Sequence, residues 1–248
     1  MKVPLIVICL LLLITAKLNA EIIDPQKILE KSDEIRGGNV PGIELLCEVS
    51  SKKDSKNKGT AYTIHIKADS NNTLATFTDP PRSKGIKMLI SNRNMWFLSP
   101  DVSKPVPISP RQRLLGDASN GDIATTSLSR DYNAKFLRAD SCNGRMCEVL
   151  ELTAKNKNVT YDKIIYFVDK HTFKGLKAEY CTASGKLLKT ATFEYGNEIS
   201  YKERKFNYVS RLVIRSQIES SVITELMYSN IKIVKHPQSI FMLANIDR

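Results

Sequence analysis

Apolar and polar residues alternate with a period of two through much of the chain, which is the pattern of a half-buried β-strand. Tyr62, Ile64 and Ile66 share one face of such a segment, and polar residues take the other face. The same alternation recurs at residues 86–90, 150–152, 164–168, 191–195, 212–214 and 222–228. Clusters of Ser, Asn, Asp, Gly and Lys separate these segments. About ten strands spaced in this way predict a meandering antiparallel sheet. One apolar face per strand favours a closed barrel, a half-closed barrel or a sandwich.

A single helix is expected before the first strand. Asp24 is a suitable N-cap and Pro25 fits the first helical position. Apolar residues then recur at helical spacing from Ile28 to Ile35, and Gly37–Gly38 is a typical helix end.

The N-terminus is typical of an export signal. Lys2 precedes a 13-residue apolar run over residues 3–15, and Ala16 and Ala20 supply the small residues that signal peptidase requires. A membrane-spanning helix needs roughly 20 apolar residues, so cleavage after about Ala20 is favoured over an uncleaved anchor.

The remainder, residues 21–248, is interpreted as one domain, because no repeat or long linker interrupts it. Cys9 does not form a lipobox, since the bulky Ile8 precedes it and the apolar run continues beyond it. We therefore expect a freely diffusing protein, and a monomer.

The chain carries 37 Lys and Arg against 26 Asp and Glu, a formal net charge of +11. In an exported protein this surplus is not directed at nucleic acid. It favours either anionic lipid head groups and acidic partners, or a solvated surface over which the charges are simply spread.

Four cysteines follow the signal segment. Cys142 and Cys147 flank Asn143–Gly144, a strong hairpin signal, so a disulfide between them is expected. Cys47 and Cys181 either bridge each other or remain buried thiols. Two such distant cysteines do not complete a zinc site with the first pair, and we expect no metal.

No catalytic motif is present. The three histidines are far apart, and the sequence has no H-E-x-x-H, G-x-S-x-G or G-x-x-x-x-G-K-[ST] pattern. The sequence therefore predicts a protein without enzymatic activity or cofactor.

The segment from residue 94 to residue 123 is unusual. The strand around Trp96 is apolar on both faces, so it either lies between two layers or lines a cavity with one face. After a proline-rich connection, Ser109 and Pro110 can begin a short helix that ends at Gly116. The polar residues 117–122 form either an ordered surface loop or a lid over the cavity.

Four short sequence motifs between residues 78 and 124 resemble those of a known family. They are TDPPRSKG at residues 78–85, NMW at 94–96, ISPRQRLLG at 108–116 and ASNGDIA at 118–124. With weaker matches further on, they resemble the bacterial outer-membrane lipoprotein-sorting-like proteins, relatives of LolA, LolB and RseB.

The resemblance implies a mainly β fold: a single antiparallel half-open β-barrel, covered by helices and enclosing an apolar cavity. It implies a periplasmic carrier that binds lipids or the acyl chains of lipoproteins for transport toward the outer membrane, with an RND-type or other inner-membrane transporter as a partner. The alternative is a lipid- or partner-sensing accessory protein of a transporter or signalling system. A secreted lipid hydrolase is a third hypothesis, which the missing nucleophile motif disfavours.

Two groups of residues form the predicted site. The apolar cavity and its mouth are assigned to Ile86, Met88, Ile90, Met95, Trp96, Phe97, Leu98, Leu114 and Leu115. The loop and head-group candidates are Arg82, Arg111, Arg113, Asp117, Ser119, Asn120 and Asp122. The arginines either meet head groups or an anionic membrane, or pair with Asp117 or Asp122; the second role is favoured for Arg113.

Overall fold

The structure is a computed structural model that describes residues 24–37, 39–53, 59–124, 127–218 and 221–246. The predicted signal segment, residues 1–20, lies outside this range. Within the described ranges, no helix has the length and apolar character needed to cross a membrane.

Most of the described chain is β-strand. The strands are β1 Ile43–Lys52, β2 Thr60–Ala68, β3 Asn72–Asp79, β4 Lys87–Ser91, β5 Asn94–Leu98, β6 Val106–Ile108, β7 Arg113–Leu115, β8 Ala118–Ser119, β9 Tyr132–Cys142, β10 Arg145–Ala154, β11 Lys163–Asp169, β12 Gly175–Cys181, β13 Leu187–Tyr201, β14 Arg204–Ser216 and β15 Ile223–Ile233. The α-helices are α1 Pro25–Ile35, α2 Asn120–Ala124, α3 Leu128–Asp131 and α4 Leu243–Ile246, and 3₁₀ turns occupy Pro81–Ser83 and Gln238–Phe241.

Thirteen strands form one antiparallel sheet that does not close. Their order is β6-β5-β4-β3-β2-β1-β15-β14-β13-β12-β11-β10-β9, so the first and last strands of the chain, β1 and β15, pair at its middle. The remaining strands, β7 and β8, pair only with each other. Pro107 lies in the edge strand β6, where its missing N–H costs no ladder bond. The predicted mainly β, antiparallel and unclosed architecture is confirmed.

The helix α1 forms as the sequence predicts. The Asp24 carboxylate accepts a hydrogen bond of 3.0 Å from the Gln26 amide, and Gly37 takes a φ of +85° just beyond the helix end. Ile28 and Leu29 point into the main core cluster on one face of the sheet. This apolar side of α1 therefore packs on the sheet rather than facing solvent.

The two faces of the sheet are covered by different parts of the chain. The main core cluster fills the face that carries Ile64, Ile66 and Ile214, which we call the concave face. On the opposite face of β3–β5, Leu89 packs with Phe241 and Ile246 of the C-terminal segment. Strands β4 and β5 are thus apolar on both sides because each side has its own cover.

The short helix predicted after Ser109 is wrong. The Ser109 carbonyl accepts from the Gln112 amide at 3.1 Å, and the Gln112 side-chain oxygen accepts from the Ser109 amide at 2.9 Å. These two bonds close a tight turn, after which the chain extends into β7. Gly116 then reverses the chain between β7 and β8 with a φ of +54°.

Cys142 and Cys147 carry buried thiols in the structure. The hairpin turn pairs Cys142 with Arg145, so Cys147 stands opposite Asp140. The two thiols lie within hydrogen-bonding reach of each other, and the disulfide between them stays a prediction. Burial raises the pKa of Cys147 to about 11, which keeps it protonated at neutral pH.

Cys47 and Cys181 are also free and buried. Of the two alternatives for them, the structure has the buried thiols.

The packing of α1 is tested by Leu29→Ala. Because Leu29 is fully buried against the sheet, the truncation should lower the free energy of unfolding by about 2–5 kcal/mol in urea denaturation. Glu30→Ala, on the exposed side of the same helix, should change it by less than about 0.5 kcal/mol. Equal effects of the two substitutions would show that α1 is not docked.

Candidate functional site

Two cavities of the concave face are lined by predicted cavity residues. The interior cavity has a volume of about 60 Å³ and lies under α1 and α3, with Ile90, Met95, Tyr166 and Leu212 among its lining residues. The edge groove has a volume of about 480 Å³ and lies beside the loop that carries β7. The second volume falls within the roughly 300–1,000 Å³ typical of ligand sites, whereas the first holds only about four water molecules.

The two cavities follow one another along the same strands. Ile90 and Met95 face each other across β4 and β5 and line the interior cavity. Met88 and Phe97 are the next pair on the same face, about 7 Å along the strands, and line the edge groove. An elongated apolar molecule in the groove would therefore point toward the interior.

The structure brings most of the predicted cavity residues together on the concave face. Ile86, Met88, Phe97 and Leu114 line the edge groove, Ile90 and Met95 line the interior cavity, and Leu115 packs against the main core cluster.

Trp96 and Leu98 are the exceptions among the predicted cavity residues. They alternate with Met95 and Phe97 along β5 and so point to the opposite face, where they pack with the C-terminal segment. The only tryptophan is therefore part of the cover of the outer face and lines neither cavity.

A buried ion pair holds the loop at residues 117–122 on the concave face of the sheet. Lys189, on the concave face of β13, places its Nζ 3.1 Å from the Asp122 carboxylate, and both side chains are less than one-tenth exposed. The same ammonium group donates to the Ser119 hydroxyl and to the Asp117 carbonyl. The motif at residues 117–122 thus wraps a single inward-pointing lysine.

Aromatic rings complete this ion pair. The Tyr161 hydroxyl donates to Asp122 at 2.6 Å, and its ring stacks on Tyr180 with centroids 3.9 Å apart. Lys189 Nζ lies 5.0 Å from the Tyr161 ring centroid, within reach of a cation–π contact. Burial, and then the charge of Asp122, raise the pKa of Tyr161. Tyr161 therefore stays protonated and donates a hydrogen bond to Asp122.

Close packing explains why residue 121, within the loop at residues 117–122, is a glycine. A Cβ atom on Gly121 would collide with the side chain of Thr160. The Asn120 side chain donates to the Ser109 carbonyl at 3.2 Å, which ties α2 to the turn before β7. The polar run is therefore an ordered loop held by its own side chains.

The predicted arginines have different environments. Arg111 pairs with Asp162 at 2.6 Å and its guanidinium group lowers the pKa of that carboxyl. Arg113 lines the edge groove, and Arg82 is exposed on the first 3₁₀ turn. Of the two carboxylates predicted as partners of Arg113, Asp117 and Asp122, the second pairs with Lys189.

Sequence analysis missed Lys189, Tyr161 and Arg36. Lys189 had a readable signal: it shares the period-two face of Ala191 and Phe193, and a charge on an apolar strand face requires a partner. Arg36 stands beside the glycine that ends α1 and carried no such signal, because its depth depends on how the helix docks.

The importance of the buried pair is tested by Lys189→Met. The substitution leaves Asp122 buried without its partner, so it should lower the free energy of unfolding by about 3–5 kcal/mol. Adding Asp122→Asn in the same protein should recover part of this loss. Lys163→Met, which breaks the more exposed pair with Glu151, should cost no more than about 1 kcal/mol.

Urea denaturation of the four proteins measures these differences. Equal costs for Lys189→Met and Lys163→Met, with no recovery in the double variant, would contradict the anchoring role of Lys189.

Comparisons with known proteins agree with this architecture. A family model described as an uncharacterized protein matches residues 69–248. No curated protein matches the chain. Among solved structures, a LolA superfamily protein from Nitrosomonas europaea superposes with a TM-score of 0.80 and 30% identity, over 89% of this chain and 98% of that one.

Two further structures share the fold at lower identity. A putative outer membrane lipoprotein-sorting protein domain from Vibrio parahaemolyticus has a TM-score of 0.73 and 21% identity, over 91% of this chain and 100% of that one. A DUF1329 family protein from Desulfovibrio piger has a TM-score of 0.72 and 20% identity, over 90% and 99%. The first relative, similar in sequence over nearly its whole length, confirms the resemblance seen in the motifs: the chain belongs to the LolA superfamily.

Proposed function

We propose that this protein is a non-catalytic carrier that binds lipids, or the acyl chains of lipoproteins, on its concave face. The observation that carries the proposal is a row of apolar side chains along β4 and β5, in which Met88 and Phe97 line the edge groove and Ile90 and Met95 line the interior cavity. Membership of the LolA superfamily and the likeness to a lipoprotein-sorting domain support it.

The energetics of acyl chains favour such a site. Moving a chain from water into an apolar environment gains roughly 0.8 kcal/mol per CH₂ group, so a shielded groove is enough to hold it without directional bonds. Met88 and Met95 belong to this row of side chains. Unbranched, polarisable methionine side chains adapt to irregular shapes, which allows the site to accept more than one lipid.

In this proposal, the structure is the closed conformation of the protein, in which the interior cavity is too small for an acyl chain. The edge groove is wide enough for part of a chain, while the interior cavity is nearly filled by the protein's own side chains. Ligand entry therefore requires the flexible methionines to move aside, and it is resisted by the Lys189–Asp122 pair that holds the covering loop.

The proposed compartment is the periplasm, and the direction of transport is toward the outer membrane. Support comes from the signal-like residues 1–20 and from the likeness to the sorting domain. A transporter of the inner membrane is the proposed donor, and the protein acts as a monomer in this scheme.

The acyl-binding site is tested by a matched pair of Met→Gln substitutions. Met88→Gln places an amide in the edge groove, whereas Met242→Gln changes an exposed side chain on the C-terminal segment. Protein purified without detergent should bind a fluorescent pyrene fatty acid, and Met88→Gln should weaken this binding about tenfold or more, since burying an unpaired amide costs roughly 1–3 kcal/mol. Met242→Gln should leave it unchanged.

Thermal melting of both variants controls for folding, and mass spectrometry of the wild-type protein should reveal copurifying lipid. Absence of both lipid and probe binding would contradict the carrier function. Equal weakening by the two variants would place the site elsewhere.

A further inference from the structure

The guanidinium group of Arg36 lies on the concave face, where the side chain is half-buried. Arg36 caps the C-terminal end of α1, and its Cζ atom lies 5.5 Å from the ring centroid of Phe193 on β13. It lines the interior cavity and also a cavity of about 150 Å³, which we call the vestibule. The vestibule is bordered by Gly42, Ser70, Asn71 and Ser127. Arg36 therefore stands at the boundary between two cavities.

Asp33 acts electrostatically on Arg36, but no described carboxylate forms an ion pair with its guanidinium. Among the residues that the structure describes, no ion pair within 4.0 Å includes its guanidinium. Asp33, three residues earlier on α1, is engaged elsewhere: its carboxylate accepts from the amides of Leu128 and Ser129 and from the Ser127 hydroxyl. The hydrogen bonds of Asp33 therefore serve α3, and its charge acts on Arg36 only at a distance.

The other charges around the vestibule are also accounted for. Arg93 and Arg130 both pair with Asp131, each at 3.0 Å. Asp69 borders the vestibule, but its carboxylate accepts from the amides of Asn71 and Asn72 and from the side chain of Gln238.

Tyrosines surround Arg36 without neutralising it. Tyr166, Tyr195 and Tyr208 are its electrostatic neighbours, and the Tyr166 hydroxyl is within hydrogen-bonding reach. Burial raises the pKa of all three hydroxyls, so they remain protonated at neutral pH. A guanidinium has five N–H donors, and one hydroxyl with ring faces cannot satisfy them all. A half-buried guanidinium with unused donors offers a binding site to an anion from outside.

We propose that Arg36 binds the anionic head group of an amphiphile, a carboxylate or a phosphate, whose chain lies along the apolar cavities of the concave face. This inference rests on the proposed carrier function and specifies its ligand. The planar guanidinium matches both oxyanions in a bidentate geometry. The vestibule gives the head group access to water, and the adjoining interior cavity receives the chain. A neutral lipid would fill the cavity and leave the Arg36 charge unmatched.

The test compares two probes that differ only in the head group, a pyrene fatty acid and the corresponding pyrene alcohol. Wild-type protein should bind the acid about tenfold or more tightly than the alcohol, since a charge-assisted hydrogen bond is worth about 1.5–3 kcal/mol. Arg36→Gln should lose this preference by weakening the acid alone. Arg36→Lys, which keeps the charge but not the bidentate geometry, should fall between them.

Arg215→Gln is the control for loss of one positive charge, because Arg215 is exposed and alternates with the inward-pointing Ile214 on β14. It should keep the preference for the acid. Dodecyl phosphate should displace the bound acid from wild-type protein, and inorganic phosphate at the same concentration should not.

The outcomes separate the two proposals. Equal binding of acid and alcohol by the wild type overturns the role of Arg36 and leaves the carrier function standing. Binding of neither probe overturns the carrier function itself. If Arg36→Gln does not fold, the acid-to-alcohol ratio of the wild type still decides. Displacement by inorganic phosphate would show an anion site that does not select amphiphiles, contrary to the proposal.

Discussion

A thirteen-stranded antiparallel sheet that never closes is the constraint on which the other features depend. A closed barrel fills its interior with its own side chains, but an unclosed sheet leaves one face to be covered by other elements. Here α1 and the loop that carries β7, β8 and α2 lie over that face. Their packing is incomplete, and cavities remain along β4 and β5 and beneath α1. These cavities are therefore a consequence of the open architecture.

The cover is held by few but specific interactions. The covering loop is bound to the sheet through Lys189 and Asp122, a buried pair with further donors and acceptors from the loop backbone. A buried ion pair adds little net stability compared with apolar packing, yet breaking it is expensive. The Lys189–Asp122 pair thus favours a single position of the covering loop over alternative positions that lack the pair. The helix α1 is instead held by apolar burial, and Asp33 on α1 caps α3. Helix and loop are therefore held by different kinds of interaction.

The sequence predicted the strands well because each has one apolar face, and α1 because Asp24, Pro25 and Gly37 mark its ends. It failed where the outcome depends on distant packing. Period two shows that Trp96 and Phe97 point to opposite faces, but not which face holds the cavity, since the C-terminal segment makes both apolar. The turn at Ser109 depends on the side chain of Gln112, which competes with helix formation. The hairpin at Asn143–Gly144 was predictable, but its register, which places Cys147 opposite Asp140, was not. Arg36 was missed because its partners come from β11, β13 and β14.

In the proposed binding mode, the concave face holds an acyl chain with its head group at Arg36. Crystals of the protein grown with a dibrominated fatty acid test this mode directly, since bromine atoms can be located by anomalous scattering. The expected result is bromine beside Met95 or Met88 on β4 and β5 and the carboxylate at the Arg36 guanidinium. Bromine beneath the C-terminal segment, beside Trp96 on the outer face, would contradict it, and so would a carboxylate bound away from Arg36.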